Sequence, residues 1–305
     1  MNRSAETSLG SRAHAEGVGV GLRMVPTLAC VCIAILLAYE PVKSLISAPG
    51  RSDYYSHIFL IPFVTLYFLL FERKEIFDDP RYSWKVGAPV IAAGLLVYLL
   101  ALWLKGWLGT NDFASLATFA SIGIFWGGFI LAYGPAAFRV GRFPLLFLLF
   151  AIPVPAFLLD RFIYILQVGS TEVTQRLFDL TGTTYFRDGF TYQLANINIE
   201  VAKECSGIRS TLALIISCVV AGHLFLKSGW RQLILLIAVL PITILKNAVR
   251  IAALSLLAIY VDTRFITGSW LHHSGGIVFY IPSLGLLGIV LWWLSKGEKR
   301  TGRME

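Results

Sequence analysis

Residues 202–210 read Ala-Lys-Glu-Cys-Ser-Gly-Ile-Arg-Ser and join a long polar segment to a new apolar run. Cys205 therefore lies where the polar segment ends, and Ser206 and Gly207 predict the start of a helix directly after it. A helix N-terminus and a nearby cation, here Arg209, both lower the pKa of a thiol. Cys205 is thus a candidate nucleophile, and a small residue packed at a helix end is the alternative.

The composition is typical of a polytopic membrane protein. Of the 305 residues, 56% are hydrophobic and 14% are charged, and the mean hydropathy is +0.71. These values lie far outside the range of soluble domains. The net charge of +8 does not indicate nucleic-acid binding, because the basic residues lie in short clusters between apolar runs. We therefore expect a lipid bilayer, and no nucleic acid, as a partner.

Several apolar runs are long enough to cross a bilayer as helices, which takes about 17 to 25 residues each. The sequence predicts an all-α polytopic membrane protein with about eight transmembrane helices. Pro153 and Pro155 interrupt the fifth run, where we expect a kink in the helix. The runs are Met24–Pro41, Tyr55–Phe71, Val86–Leu104, Phe113–Tyr133, Phe143–Leu159, Gly207–Leu226, Leu233–Tyr260 and Gly275–Leu294.

The basic residues predict the orientation of the chain. Lys and Arg are concentrated in both tails and in the loops after the second, fourth and sixth runs. By the positive-inside rule both termini are cytoplasmic (N-in/C-in), which agrees with an even number of spans. We expect a cytoplasmic tail at 1–23, a membrane domain at 24–296 and a cytoplasmic basic tail at 297–305. Without a visible cleavable signal peptide, the first span is expected to target the chain to the cell membrane.

This orientation places the polar segment 160–204, which precedes the sixth span, on the extracytoplasmic side. Its first half has apolar residues at helical spacing, which predicts a helix on the membrane surface. Its second half has a turn signal at Asp188-Gly189, and residues 197–201 alternate between apolar and polar. The second half therefore predicts a short β-hairpin that leads directly to Cys205.

Three basic residues lie within or at the ends of the apolar runs: Arg209, Lys246 and Arg250. An intramembrane cation costs about 3 kcal/mol on insertion scales, so each requires a partner or a function. Lys246 and Asn247 lie four and three residues before Arg250, so helical spacing makes them its neighbours. The predicted topology places Arg250 in the outer half of the seventh span. Snorkelling, or pairing with a buried acid, is the structural alternative.

His272 and His273 stand at the outer start of the eighth run. Two adjacent histidines do not readily bind one metal ion, and no acidic or cysteine cluster completes a ligand set, so we expect neither a metal nor a cofactor. A histidine there can serve as a general acid and base near neutral pH. With Cys205 and Arg250 on the same side of the membrane, the predicted site contains a nucleophile, an oxyanion stabiliser and an acid/base. This set is suited to acyl transfer on the extracytoplasmic side.

Five motifs, in order along residues 24–296, resemble those of the exosortase/archaeosortase family of membrane sorting enzymes. Three are similar to its Cys-Ser-Gly-Leu/Ile-Arg, Asn-x-x-Arg and His-x-x-x-Gly motifs. The others are similar to its Tyr-Ser-His stretch at the second span and to its fifth span. The first three motifs lie at Glu204–Arg209, Asn247–Ile251 and His272–Gly276. The stretch similar to Tyr-Ser-His lies at Asp53–Pro62, and the stretch similar to the fifth span lies at Phe143–Pro155.

The resemblance implies a cysteine peptidase or transpeptidase that acts on exported proteins. Such enzymes cleave a C-terminal sorting signal, which comprises a short motif such as Pro-Glu-Pro, a membrane helix and basic residues. They then transfer the new C-terminus to an acceptor nucleophile. The resemblance implies Cys205 as nucleophile, Arg250 as transition-state stabiliser and His272 as acid/base. Candidate supporting residues are Arg209, Asn247, His273, Ser206 and His57, and His273 is the alternative to His272.

Two other functions remain open from the residues alone. A transporter for an anionic small molecule or a lipid-linked saccharide would use Lys246 and Arg250 as a substrate site along a path through the bilayer. Against this, the charged and nucleophilic groups concentrate at the outer side and no inverted repeat is evident. A non-catalytic subunit of a polysaccharide-export assembly would tolerate substitution of all three catalytic candidates.

Overall fold

The computed structural model describes residues 3–47, 55–195, 197–202, 207–262 and 270–301. Within these ranges, the side chains of residues 3–24, 56, 270–277 and 299–301 are not described. The chain divides into two units, Met1–Ala156 and Phe157–Glu305.

The apolar runs of the first unit form helices arranged around one central helix. They are α1 (Arg3–Ile46), α2 (Leu60–Phe71), α3 (Arg73–Ile76), α4 (Trp84–Leu104), α5 (Thr110–Val140) and α6 (Arg142–Phe147), with 3₁₀ turns at Ser56–Phe59 and Leu148–Ala151. In α5, 67% of the apolar window is buried, against 33% or less in the other candidate spans. Both α1 and α4 pack against α5. This helix is therefore the core of the first unit.

Glycines allow α4 and α5 to pack closely. A Cβ atom at Gly87 of α4 would lie 2.5 Å from Leu131 Cβ, and one at Gly127 of α5 would lie 2.6 Å from Ile91 N. Neither position can hold a larger residue without a shift of backbone. Because lipid provides no hydrophobic driving force between helices, close packing at small residues is the usual basis of their association.

The fifth predicted span is broken rather than kinked. The 3₁₀ turn after α6 ends at Ala151, and the next helix, α7 (Ala156–Thr181), begins after four residues without helical structure. Pro153 and Pro155 have no N–H groups, so neither can donate the hydrogen bond of a continuous helix. Asp112 Oδ1 of α5 accepts the N–H of Ala156 at 2.7 Å and thereby caps α7. The expectation of a kink was therefore wrong.

Polar side chains at the start of α5 also bind the carbonyl groups of this break. Asn111 Nδ2 donates to the carbonyl of Val154 at 2.7 Å, and Ser115 Oγ donates to that of Pro153 at 2.7 Å. Tyr55 OH donates to Asn111 Oδ1 at 2.7 Å and so fixes the orientation of the amide. Backbone groups at membrane depth require such partners, because lipid offers none.

The described residues support a polytopic all-α membrane protein. Six helices are long and apolar enough to cross a membrane, and the count is seven if the broken pair of α6 and α7 forms one span. The second predicted span is a shorter apolar helix, His57–Phe71. The eighth span and the N-in/C-in orientation remain predictions. The six helices are Val25–Ile46, Trp84–Leu104, Thr110–Val140, Ile208–Phe225, Gly229–Tyr260 and Val278–Glu298.

In the second unit, α7 is followed by three strands and three helices. These are β1 (Tyr185–Asp188), β2 (Thr191–Leu194), β3 (Asn198–Glu200), α8 (Ile208–Phe225), α9 (Gly229–Tyr260) and α10 (Trp270–Thr301). The strands form an antiparallel sheet in the order β1-β2-β3. Gly189, with φ of +57°, opens the two-residue turn between β1 and β2. The helix and the hairpin predicted within 160–204 are therefore confirmed, whereas the position of the helix on the membrane surface remains a prediction.

Tyr192 of β2 joins the sheet to α7. Its side chain is fully buried, and its ring packs edge-on against Phe178 with centroids 5.2 Å apart. Its hydroxyl donates to the carbonyl of Thr171 at 2.6 Å. Directly after β3, the carbonyl of Val201 accepts a hydrogen bond from Gln167 Nε2 at 2.8 Å. The sheet is therefore anchored to α7 through Tyr192 of β2 and through Val201 directly after β3.

Helices α8, α9 and α10 share one apolar core. Each helix contributes buried side chains to it, and each pair of helices is in contact. Its members include Leu214 and Cys218 of α8, Leu235, Val239 and Ile242 of α9, and Leu287 and Leu294 of α10. This core holds the start of α8 in register with the middle of α9.

The hydrogen bond of Tyr192 predicts a pH-dependent stability. Burial raises the pKa of Tyr192 to about 12 from its ordinary value of 10.0, so its contribution is complete below pH 10 and is lost as pH rises through about 12. Tyr192→Phe keeps the ring but removes the donor. At pH 8 we expect this variant to be less stable by about 0.5–1.5 kcal/mol. Thermal unfolding of the detergent-purified proteins, followed by circular dichroism, should show the difference narrowing at alkaline pH.

Tyr260→Phe is the matched control, because Tyr260 is 71% exposed at the end of α9. It should show no such pH-dependent difference. A Tyr192→Phe difference that stays constant from pH 8 to 12 would contradict the assigned role of the hydroxyl.

Candidate functional site

A glycine in the left-handed conformation precedes helix α8. Gly207 is its N-cap, with φ of +74° and ψ of 18°, a conformation that costs other residues about 1–2 kcal/mol. The carbonyl of Gly207 accepts hydrogen bonds from Ser210 Oγ at 2.9 Å and from Thr211 Oγ1 at 2.8 Å. These bonds fix the helix start, which follows Cys205 by two residues in the sequence.

A buried lysine of α9 contacts this helix start. Lys246 is 9% exposed, and its Nζ donates a hydrogen bond to Ser210 Oγ. A Cβ atom at Gly207 would lie 3.4 Å from Lys246 Nζ, so the ammonium group is next to the backbone of the cap. None of the ion pairs found among the described residues involves Lys246. Its charge therefore adds to the positive N-terminal end of α8.

Asn247, the next residue of α9, lies between Gly207 and α7. It is fully buried, and its Nδ2 donates to Ser170 Oγ at 3.1 Å. Its Oδ1 would lie 3.1 Å from a Cβ atom at Gly207, and within the described part of the chain this buried oxygen has no hydrogen-bond partner. A buried acceptor without a partner costs about 1–3 kcal/mol. The site thus presents one unused acceptor beside the start of α8.

Close packing against α7 holds this face of α9 in place. A Cβ atom at Gly169 of α7 would lie 2.7 Å from Ile244 Cδ1, so the two helices are in direct contact there. One turn further along α7, Thr174 Oγ1 donates to the carbonyl of Ala248 at 3.5 Å. Two contacts one turn apart therefore join α7 to the part of α9 that carries Lys246 and Asn247.

Four of the predicted site residues lie outside the described residues in whole or in part. Cys205 and Ser206 fall between Ala202 and Gly207, in a range that the structure does not describe. His272 and His273 belong to the first turn of α10, and their side chains are not described. Their roles therefore remain predictions.

The other predicted residues occupy different positions. Arg250 is half-buried on α9, one turn after Lys246, and Arg209 is exposed in the first turn of α8. Asn247 is the predicted supporting residue that the structure places against the start of α8. His57 is half-buried in the 3₁₀ turn Ser56–Phe59 of the first unit.

Ser170, Ser210 and Lys246 were not among the site residues predicted from the sequence. Lys246 was recognised as an intramembrane cation, but its contact with Ser210 joins two helices and leaves no local signature. Ser170 belongs to a buried stripe of polar residues on α7 that also includes Gln167, Thr171 and Thr174. Such a stripe at helical spacing is a signal that a polar neighbour faces the helix.

Comparison with known proteins identifies a family. The model of the transmembrane exosortase family matches residues 49–289, which include most of both units and all the predicted catalytic positions. Searches of curated proteins and of solved structures gave no significant match. Because the family match extends over most of its length, the chain belongs to the transmembrane exosortase family.

Proposed function

We propose that this exosortase is a membrane-embedded cysteine transpeptidase. It removes a C-terminal sorting signal of the Pro-Glu-Pro type from exported proteins and transfers the new C-terminus to a membrane or surface acceptor. The observation that supports a catalytic site at this position is the contact of buried Lys246 and Asn247 with Gly207, which follows Cys205 by two residues in the sequence.

In the proposed first step, Cys205 attacks the substrate as a thiolate. Its sulfur forms a bond to the carbonyl carbon of the scissile peptide, and the electron pair of the C=O bond moves to the oxygen. Collapse of this tetrahedral intermediate breaks the C–N bond. His272 donates its proton to the leaving amine, which departs with the membrane helix and basic tail of the signal. The product on the enzyme is a thioester.

Positive groups beside the helix start suit the charges of this step. The thiolate and the oxyanion are both negative, and a preorganised positive end stabilises such charges most where water is excluded. The N-terminus of α8 and the ammonium of Lys246 provide a positive end, and Arg250 lies one turn along the same helix as Lys246. In this proposal Arg250 stabilises the transition state, as the family motif implies, and Lys246 supports it.

The second step releases the product. An acceptor amine, or water, attacks the thioester carbon while His272 takes its proton, and the C–S bond breaks to regenerate the thiolate of Cys205. Attack by an amine gives an amide-linked product, and attack by water gives a free carboxylate. No cofactor or metal enters this sequence of steps.

We place the site on the extracytoplasmic side of the cell membrane. The distribution of Lys and Arg supports this orientation through the positive-inside rule. The segment 160–204, with its anchored sheet, would then face exported substrates. Its edge strand β3 is suited to bind an extended signal by strand addition, because an edge strand has backbone groups that pair with no neighbouring strand.

Replacing the nucleophile tests the proposal most directly. Cys205→Ala and Cys205→Ser should abolish processing of a co-expressed tagged substrate that ends in a short motif, an apolar helix and basic residues. The measurement is the mass of the tagged substrate in isolated membranes. Cys32→Ser is the control, since Cys32 is an exposed thiol on α1, and it should process normally. Normal processing by both Cys205 variants would contradict the proposal and would favour a non-catalytic subunit.

The two adjacent histidines are expected to differ in effect. His272→Gln should reduce the processing rate by about 10²–10⁴-fold, the usual contribution of a general acid/base. His273→Gln should retain most activity, because the spacing of His272 to Gly276 fits the motif. The measurement is the rate of substrate processing by each variant, from time courses in membranes with matched protein levels. The reverse order of effects would assign the role to His273.

Lys246 is expected to contribute through its charge. Lys246→Met should lower the processing rate by about 10²–10³-fold, as removal of one oxyanion-stabilising group does, and Lys246→Arg should restore part of it. Lys227→Met removes an exposed lysine from the same unit and serves as the control. Equal activity of the Met and Arg variants, at equal thermal stability, would show that the charge of Lys246 has no part in the reaction.

A further inference from the structure

A cavity of about 390 Å³ lies between the start of α9 and the end of α10. Its lining includes Trp230, Arg231, Ile234, Trp293, Leu294 and Lys296. One candidate membrane span begins at Gly229, and another ends at Glu298. The cavity therefore lies at the ends of two candidate membrane spans.

The described side chains give the cavity a net positive charge. Arg231 and Lys296 contribute two cations, and Glu298, with a carboxylate oxygen 3.7 Å from Arg231 Nη1, contributes one anion. The two carboxylate oxygens of Glu298 accept the backbone N–H groups of Lys227 at 3.1 Å and Ser228 at 2.8 Å. The carboxylate is thus directed at the connection between α8 and α9. An anion in the cavity would therefore contact the side chains of Arg231 and Lys296.

The tryptophans indicate a ligand with an apolar part as well. Trp230 and Trp293 are each 68% exposed, and tryptophan is enriched where a membrane helix meets the headgroup layer. Lys296 Nζ lies 4.9 Å from the ring centroid of Trp292, which keeps its charge near the same surface. A small soluble anion would gain little from two exposed indole rings, whereas a lipid has both a charged headgroup and acyl chains.

We propose that this cavity binds the headgroup of an anionic phospholipid. The phosphate contacts Arg231 and Lys296, and the acyl chains lie along Trp230 and Trp293. Basic pockets between membrane helices are known to take anionic headgroups, and the volume is within the range of ligand pockets. Among the described residues, the cavity lining and the proposed catalytic set have no member in common, so this proposal does not rest on the peptidase activity.

Native mass spectrometry of the delipidated full-length protein tests this site. Phosphatidylglycerol and phosphatidylcholine of equal chain length are added at equal concentration, and bound lipids are counted. Wild type should bind phosphatidylglycerol at least about fivefold more tightly, the effect of one basic residue near an anionic lipid. Lys296→Gln and Arg231→Gln/Lys296→Gln should remove this preference. The control is Arg73→Gln/Lys74→Gln on α3, which removes two positive charges at exposed positions, as the double cavity variant does in the cavity. This control should keep the preference for phosphatidylglycerol.

The possible results distinguish a lipid site from a site for a soluble anion and from a general effect of charge. Loss of the preference in the two cavity variants, with the α3 variant unchanged, supports the proposal. Equal binding of both lipids by wild type, or an equal loss in the α3 variant, overturns it. Displacement of phosphatidylglycerol by millimolar inorganic phosphate would also overturn it, because the site would then be one for a soluble anion. If the double variant does not fold, the single change at exposed Lys296 still decides between these results.

Discussion

The architecture depends on one constraint of the bilayer: each backbone polar group must find its hydrogen-bond partner within the protein. Where the chain is not helical, side chains from a neighbouring turn or helix provide the partner. Asn111 and Asp112 do so at the break between α6 and α7, Ser210 at the carbonyl of Gly207, and Gln167 at the carbonyl after β3. Buried polar residues at these points are therefore architectural, and they determine where irregular backbone can occur.

Lys246 and Asn247 are not explained by that constraint. Burial of an ammonium at membrane depth is unfavourable, and the hydrogen bond to the hydroxyl of Ser210 offsets only part of its desolvation. The Oδ1 atom of Asn247, which has no hydrogen-bond partner among the described residues, adds a second unfavourable burial at the same place. Proteins tolerate such local costs mainly at functional sites, where a bound substrate or a developing charge completes the interactions. Both residues adjoin Gly207, which agrees with the position that the family motif gives to the nucleophile.

Features set by local pattern were predictable from the sequence, and features set by distant contacts were not. The bounds of α4 and α8, the hairpin turn at Gly189 and the end of α9 at Tyr260 follow from apolar periodicity and turn residues. Pro153 and Pro155 indicate an interruption of the helix. The interruption is a full break because side chains of α5 bind the backbone groups that it leaves without helical partners. The contact of Lys246 with the start of α8 likewise depends on how two helices pack. The catalytic set was predicted from the topology and then from motif order, since sequence spacing alone cannot join separate helices.

The sequence distances of these polar contacts imply an order of assembly during synthesis. The partners of the break lie 38 to 44 residues upstream of it, so α5 has already left the ribosome when the two prolines emerge. Ser170, by contrast, precedes Asn247 by 77 residues, which takes about 4–15 s to translate. The hydrogen bonds at the break can form as soon as that segment is synthesised. The contact of α7 with α9 can form only after α9 has been synthesised. A nascent chain halted before α9 would accordingly have an intact first unit and no assembled site.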